Sequence, residues 1–241
     1  MITINPAKVI NLGGGYIGWV NLWNDILVCN AFADDDDPAA FRVIPLPYLL
    51  PANHVYRADS SPEQFRDAVC TDDGSIKFVE IEYCSRHIVR EIPDVSASEV
   101  LYDSEITLGK AVDDGKDTYE YLGWRIVTWN RGVYSNCWRR GSVVHVDDII
   151  VNRSVQLLPE FVDKNAIKDL QTGFPTLSMD HSSDVVYLVS KVKPKDRNAW
   201  VLTIDTRNKS LDEVAPFSAE RCMYIKPGYV TSALSKYLNT N

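Results

Sequence analysis

Three groupings in this 241-residue chain place chemically capable side chains at a spacing that can be tested. The first is VINLGGGYIG, which fits G-x-G-x-x-G through Gly13, Gly15 and Gly18, with Asp34 to Asp37 about 20 residues further on. A dinucleotide site needs a helix opening at those glycines, so that its backbone N–H groups face the pyrophosphate. The chain continues instead as GWVNLWNDILVCNAF, with Asn24-Asp25 between two runs of β-formers, which predicts two strands around a tight turn. The glycines are therefore expected to form a turn, and Asp34 to Asp37, closed by Pro38, a solvated acidic loop. That loop lacks the alternating oxygen ligands and glycine of a calcium site.

The second grouping is His145-Val146-Asp147-Asp148 with Asp180-His181, the imidazoles and carboxylates of an acid–base or metal site. Strand alternation puts His145 and Asp147 on one face. No third ligand stands at zinc spacing, and strand ends collect Asp and His for turn reasons. G-x-S-x-G, H-E-x-x-H and P-loop patterns do not occur, so no catalytic residue, metal or cofactor is assigned and the chain is expected not to be an enzyme.

The third is the stretch Gly123 to Ile149, which holds three of the six tryptophans (Trp124, Trp129, Trp138) interleaved with Arg125, Arg131, Arg139 and Arg140. Such a mixture makes either a recognition surface or a thick β-core with solvated edges. Burying one tryptophan removes about 150–250 Å² from water, roughly 4–6 kcal/mol at about 25 cal/mol/Å². Leaving Trp19, Trp124, Trp129 and Trp200 exposed would forfeit more than a domain's net stability of about 5–15 kcal/mol. Those four are expected in the core. Trp138, followed by two arginines in a turn, is expected to be partly exposed, and Trp138, Arg139, Arg140 and Arg131 are the candidate binding residues for an acidic or aromatic partner.

The elements that must position these residues read as strands. A chain of this length with 45% hydrophobic and 24% charged residues suits one all-β domain, taken as 1–241. FRDAV and IKFVEIEYC flank Asp72-Asp73-Gly74, a hairpin signature. In the second strand Ile76 and Phe78 fall on one face and Val79, Ile81 and Tyr83 on the other, so it belongs inside a stack of sheets. RIVTWN and SVVHVDD complete a four-strand set, with Pro93 to Glu120 as an acidic surface excursion. TLSMD, DVVYLVSKV, AWVLTIDT and SLDEVAPF form another set of blade size. WVNLW, ILVCNAF and the edge strand FRVIPLP supply three-quarters of a third. Leu157 to Leu170 and Ser232 to Leu238 are the two short helical candidates. The fold class is all-β: antiparallel blade-like sheets forming a partial β-propeller, with one or two short helices.

Bulk properties narrow the partners. A formal charge of -8 excludes the net basic face a nucleic-acid binder needs. Five widely spaced cysteines with no C-x-x-C pair fit reduced thiols rather than a disulfide or zinc framework. With no signal peptide and no apolar membrane span, an intracellular location, cytoplasmic or nuclear, is expected.

KVINLGGGYIGWVNLWNDILVCNAF, IKFVEIE, GWRIVTWNR, SNCWRRGSVVHVDDI, PTLSMDHSSDVVYLVSKV, AWVLTIDTRNKSLDEVAPF and SALSKYLN together resemble the plant domain-of-unknown-function family numbered 1618. The resemblance spans almost the whole chain. It implies a β-propeller-like protein related to F-box-associated domains, with no established enzymatic activity. The family pattern carries a further N-terminal β region, which this chain, entering the pattern at Lys8, is expected to lack, and no F-box-like helical segment is expected before the sheets. Two readings of function result: a non-catalytic protein–protein interaction domain, or a propeller-type hydrolase or carbohydrate-binding protein using His145, Asp147, Asp180 and His181.

Overall fold

The computed structural model describes residues 6–33, 41–88, 118–152, 155, 164–192 and 198–218. Three antiparallel meanders succeed one another along the chain. The first sheet is β1 (Lys8–Gly13), β2 (Tyr16–Asn21), β3 (Asp25–Asn30) and β4 (Phe41–Pro45). The second is β5 (Arg66–Cys70), β6 (Ser75–Ile88), β7 (Thr118–Gly132) and β8 (Arg139–His145). The third orders β10 (Gln171–Leu177), β11 (Val185–Lys191), β12 (Asn198–Asp205) and β13 (Ser210–Ser218). The two-residue β9 (Ile150–Val151) joins its outer edge parallel to β13. One short helix, α1 (Lys164–Asp169), precedes β10.

The fold class is therefore all-β and antiparallel, as the strand patterns indicate. The sheets do not close on one another. The first sheet has four strands, not the three counted from WVNLW onward, because Lys8–Gly13 pairs with β2 across the glycine turn. Gly13, Gly14 and Gly15 all have positive φ there, which glycine adopts without a Cβ clash. No helix opens at that turn, so the dinucleotide pattern is accidental. The helix predicted over Leu157 to Leu170 is described only as Lys164–Asp169. The strand at Thr118 begins inside the span read as an excursion, and β6 runs on to Ile88. The acidic loop at Asp34 to Asp37, most of the Pro93 to Glu120 span and the helix expected at Ser232 to Leu238 lie outside the described residues.

The second sheet is the middle of the stack, which is why β6 is apolar on both faces. Ile76, Phe78, Val127 and Trp129 pack against Val20, Leu22, Ile26, Val28 and Ile44 of the first sheet. Val79, Ile81, Trp124 and Ile126 pack against Leu177, Val186, Leu188, Leu202 and Ile204 of the third. Of the four tryptophans expected in the core, Trp124 and Trp129 are buried, whereas Trp19 and Trp200 are only half-buried because each stands on an outer sheet; Trp138 is half-buried as expected, and so is Trp23. The far face of the first sheet carries the cross-strand row Val9, Trp19, Leu27 and Val43. Its ends are open, Val9 at 56% and Val43 at 59% exposure. Ile44→Ala, facing the second sheet, is expected to cost about 2–5 kcal/mol in urea unfolding. Val43→Ala next to it should stay within about 0.5 kcal/mol. Equal losses would contradict this assignment of faces.

Polar clips fix the sheets to one another at their first strands. Asp67 on β5 accepts the Lys8 ammonium from β1 and the Leu177 amide, at 3.0 Å, from the end of β10. Tyr83 donates to the Thr172 carbonyl at 2.5 Å. The largest clip is buried. Arg66 and Glu80 stand directly opposite on β5 and β6, with both side chains wholly excluded from water. Glu80 accepts two N–H groups of Arg66, the Leu50 amide and the Asn53 side-chain amide. The remaining Arg66 N–H groups reach the carbonyls of Leu22, Trp23 and Pro47. Burial pushes Glu80 up and Arg66 down from their ordinary values, and each opposes the shift in its partner. Glu80→Gln leaves the guanidinium buried without a counter-charge, and a loss of about 3–5 kcal/mol is expected. A change under about 1 kcal/mol in chemical denaturation would refute that role.

Candidate functional site

The Arg66–Glu80 hub holds one wall of a groove. Arg66 fixes the carbonyls of Leu22 and Trp23, at the β2–β3 turn, and of Pro47, beyond β4. Glu80 fixes the start of the 3₁₀ turn Pro51–Tyr56 through the Leu50 amide and Asn53. Between these segments and the outer strands of the second sheet lies an open cavity of about 700 Å³. Its lining includes Trp23, Tyr48, His54, Arg57, Trp129, Trp138 and Arg140. Pro45, Leu46, Pro47 and Leu49 add apolar surface, and Asn24 is the one neutral amide side chain. No carboxylate, cysteine or serine lines it among the described residues.

Trp138 is the best-positioned member. Its indole N–H donates to the Pro45 carbonyl at 2.7 Å, tying the second sheet to the end of β4. Its ring packs on Phe78 with centroids 5.9 Å apart, while Phe78 meets Trp129 at 5.5 Å. The Arg131 guanidinium lies 5.3 Å from the centre of the Trp138 ring, a cation–π contact, and donates to the Ser135 carbonyl. Arg131 is buried, and its pKa is lowered by that burial and secondarily by the Arg42 charge. Arg131 thus supports the indole from behind rather than meeting a partner directly.

The turn expected to carry Arg139 and Arg140 behind Trp138 ends before them. Strand β8 already begins at Arg139, which pairs with Asn130, and Arg140 pairs with Trp129. Register explains the difference, because the β7–β8 ladder closes on the turn just before Arg139. Alternation then sends the two arginines to opposite faces. Arg140 lines the groove and Arg139 does not, although both are exposed. Of the four predicted residues, Trp138 and Arg140 share the groove and Arg131 stands beneath it. Residues not singled out from sequence complete it: Trp23, Tyr48, His54 and Arg57. The indole-turn-arginine signal marked one wall only. The other wall is brought in by Arg66 and Glu80, buried within β5 and β6.

His145, Asp147, Asp180 and His181 do not come together. Lys77 pairs across β7 with Asn130 and on to Arg139, while Glu82 pairs with Arg125 and on to His145. The Lys77 ammonium donates to the carbonyls of Asp180, His181 and Ser183 at 2.8, 3.1 and 2.7 Å. The Asp180-His181 turn is thus held near Lys77, whereas His145 stands five residues along β6, roughly 17 Å at strand rise. The alternation that put His145 and Asp147 on one face also fails. A 3₁₀ turn, Val146–Asp148, interrupts the strand, and Asp147 pairs with Lys168. Among the described residues no three His, Cys, Asp or Glu side chains cluster as a metal site would require.

The turn carboxylates instead fix loop geometry. Asp73 accepts the Thr71 hydroxyl and the Ser75 amide, and Asp180 accepts the Ser182 amide and hydroxyl. These donors hold both below the usual carboxylate range. A depressed folded-state pKa gives stability that is present above the unfolded value of about 3.9 and lost as pH falls through the folded one. In thermal unfolding, the deficit of an Asp73→Ala/Asp180→Ala variant against wild type should therefore be larger at pH 6 than near pH 3. A deficit independent of pH would refute the assignment.

The family model of DUF1618, described as a protein of unknown function, matches residues 19–187. The chain belongs to the DUF1618 family. Every residue lining the groove falls inside the matched span, between Trp23 and Arg140. Among curated proteins none matches the chain. No helix among the described residues of this DUF1618 chain is long and apolar enough to cross a membrane.

Proposed function

We propose that this chain is a non-catalytic protein-interaction module, a partial β-propeller that holds an extended segment of a protein partner between its first two sheets. Three successive four-stranded meanders, clipped together at β1, β5 and β10 through Asp67, support the blade-like reading. The observation that carries the function is the composition of the groove. Trp23, Tyr48, Trp129 and Trp138 line it with Arg57 and Arg140, the residue types that dominate binding hot spots. No carboxylate, cysteine or serine lines the groove among the described residues, which favours binding over hydrolysis. Two arginines also suit an anionic partner better than the neutral hydroxyls of a sugar. The formal charge of -8 speaks against nucleic acid. Cys29, Cys70, Cys84 and Cys137 are all free, which favours a reducing, intracellular setting.

Panning a random-peptide display library on the wild-type protein tests this reading. Selected peptides should bind about thirtyfold more weakly to Trp138→Ala, as removal of a hot-spot aromatic does. Arg140→Ala, exposed and therefore safe for the fold, should weaken them as well. Peptides that bind both variants as well as wild type would overturn the site.

A further inference from the structure

The arginines of this chain differ in whether a carboxylate neutralises them, and the difference points to the chemistry of the partner. Arg66, Arg86, Arg125 and Arg207 each pair with a carboxylate, respectively Glu80, Glu120, Glu82 and Asp184. Arg42, Arg57, Arg131, Arg139 and Arg140 have no carboxylate partner among the described residues, although the chain carries 33 Asp and Glu against 25 Lys and Arg. Arg57 bonds the neutral Asn24 side chain at 2.6 Å, an amide oxygen that leaves its charge uncompensated. Of these five, Arg57 and Arg140 line the groove, one on each wall: Arg57 from the segment after the 3₁₀ turn, Arg140 from β8. His54 lies beside Arg57 with its ring bonded to the Leu49 carbonyl at 3.2 Å.

Between the two cations the lining is apolar and aromatic. Trp129 and Trp138 come from the second sheet; Pro45, Leu46 and Pro47 come from the end of the first; Tyr48 is 98% exposed. An acidic protein that leaves two guanidinium groups unneutralised, facing a slot without carboxylates, has there a local positive potential of the kind that selects and steers an oppositely charged ligand. We infer that the groove takes an acidic segment in extended conformation. One aromatic, aliphatic or proline side chain of that segment lies on Trp138, and carboxylates before and after it meet Arg57 and Arg140. This inference rests on the proposed interaction function and specifies its partner. The guanidinium fork suits carboxylate recognition because it offers paired donors in one plane.

The test uses two fluorescein-labelled twelve-residue probes, one alternating Asp and Glu with Trp, Leu and Pro, the other with every acid replaced by Lys. Anisotropy titrations are run on the full chain and on Arg57→Glu/Arg140→Glu, whose fold is checked by circular dichroism. Wild type should bind the acidic probe at least about tenfold more tightly than its lysine twin. Raising salt from about 50 to about 300 mM should weaken that binding, because exposed pairs are screened. The doubly reversed variant should lose the acidic probe and bind the lysine twin. A wild type that prefers the lysine twin, or a reversed variant that binds the acidic probe unchanged, overturns the inference. So does failure of the acidic probe to bind while display-selected peptides still bind in a Trp138-dependent way; the interaction reading then survives. If no peptide binds in a Trp138-dependent way, both fall.

Discussion

The Arg66–Glu80 pair is the constraint on which the rest of the first two sheets depends. Removing two charges from water is unfavourable by several kcal/mol each, and attraction between them offsets this only when the remaining donors and acceptors are also filled. Here they are filled. The donors of Arg66 reach Glu80 and three backbone carbonyls, and Glu80 also receives a backbone and a side-chain amide. Those carbonyls belong to the β2–β3 turn and to the connection after β4, so satisfying the charges requires that these irregular segments fold over the second sheet. A hydrophobic replacement could fill the same volume, but it would not hold Leu22, Trp23 and Pro47 by their backbones. The pair therefore sets the position of one wall of the groove, and only indirectly the stability of the core.

Being in the middle explains much of the second sheet's chemistry. Over its buried length both faces are covered, so charged residues there, such as Asp67, Lys77 and Glu82, hold neighbouring segments. Lys77 holds the β10–β11 turn, Asp67 holds Lys8 and the end of β10, and Glu82 receives the Ala52 amide together with Arg125. Burial lowers the Lys77 pKa, while the carboxylates of Asp184, Asp180 and Asp73 oppose that shift. An ammonium with three backbone acceptors is a structural cation, and it fixes the turn whose carbonyls it occupies. That is the physical reason the Asp180-His181 pair is a latch rather than half of an acid–base site.

How much was legible in the sequence depends on which interactions are local. The two-faced pattern of IKFVEIEYC announced a middle sheet, because alternation acts within one strand. The glycine turn and the hairpin at Asp72-Asp73-Gly74 were legible for the same reason. That hairpin carries a second signal: closing it at Gly74 places Arg66 opposite Glu80, a charged pair on strands that are otherwise largely apolar. The groove was half legible. Trp138 and Arg140 stand out in their own hairpin, whereas Arg57 and Trp23 join them only through long-range bonds such as Trp138 to Pro45, across 93 positions. The expectation that His145 and Asp147 share a face failed because alternation holds only while the strand continues, and the 3₁₀ turn at Val146–Asp148 ends it.

The choice between core and recognition surface for the tryptophan stretch is a false one at Trp138. One side of the indole rests on Phe78 with the Arg131 guanidinium against its ring, and the N–H is bonded to Pro45, yet the ring still lines an open groove. The interactions that bury part of it also remove its rotamer freedom before any partner arrives. A side chain already fixed in its bound position loses less entropy on binding, so the same contact yields more net affinity. The burial that stabilises the fold and the rigidity that would favour recognition are thus two consequences of one packing arrangement. In the proposed complex Arg131 acts from beneath the surface, by holding the residue that a partner meets.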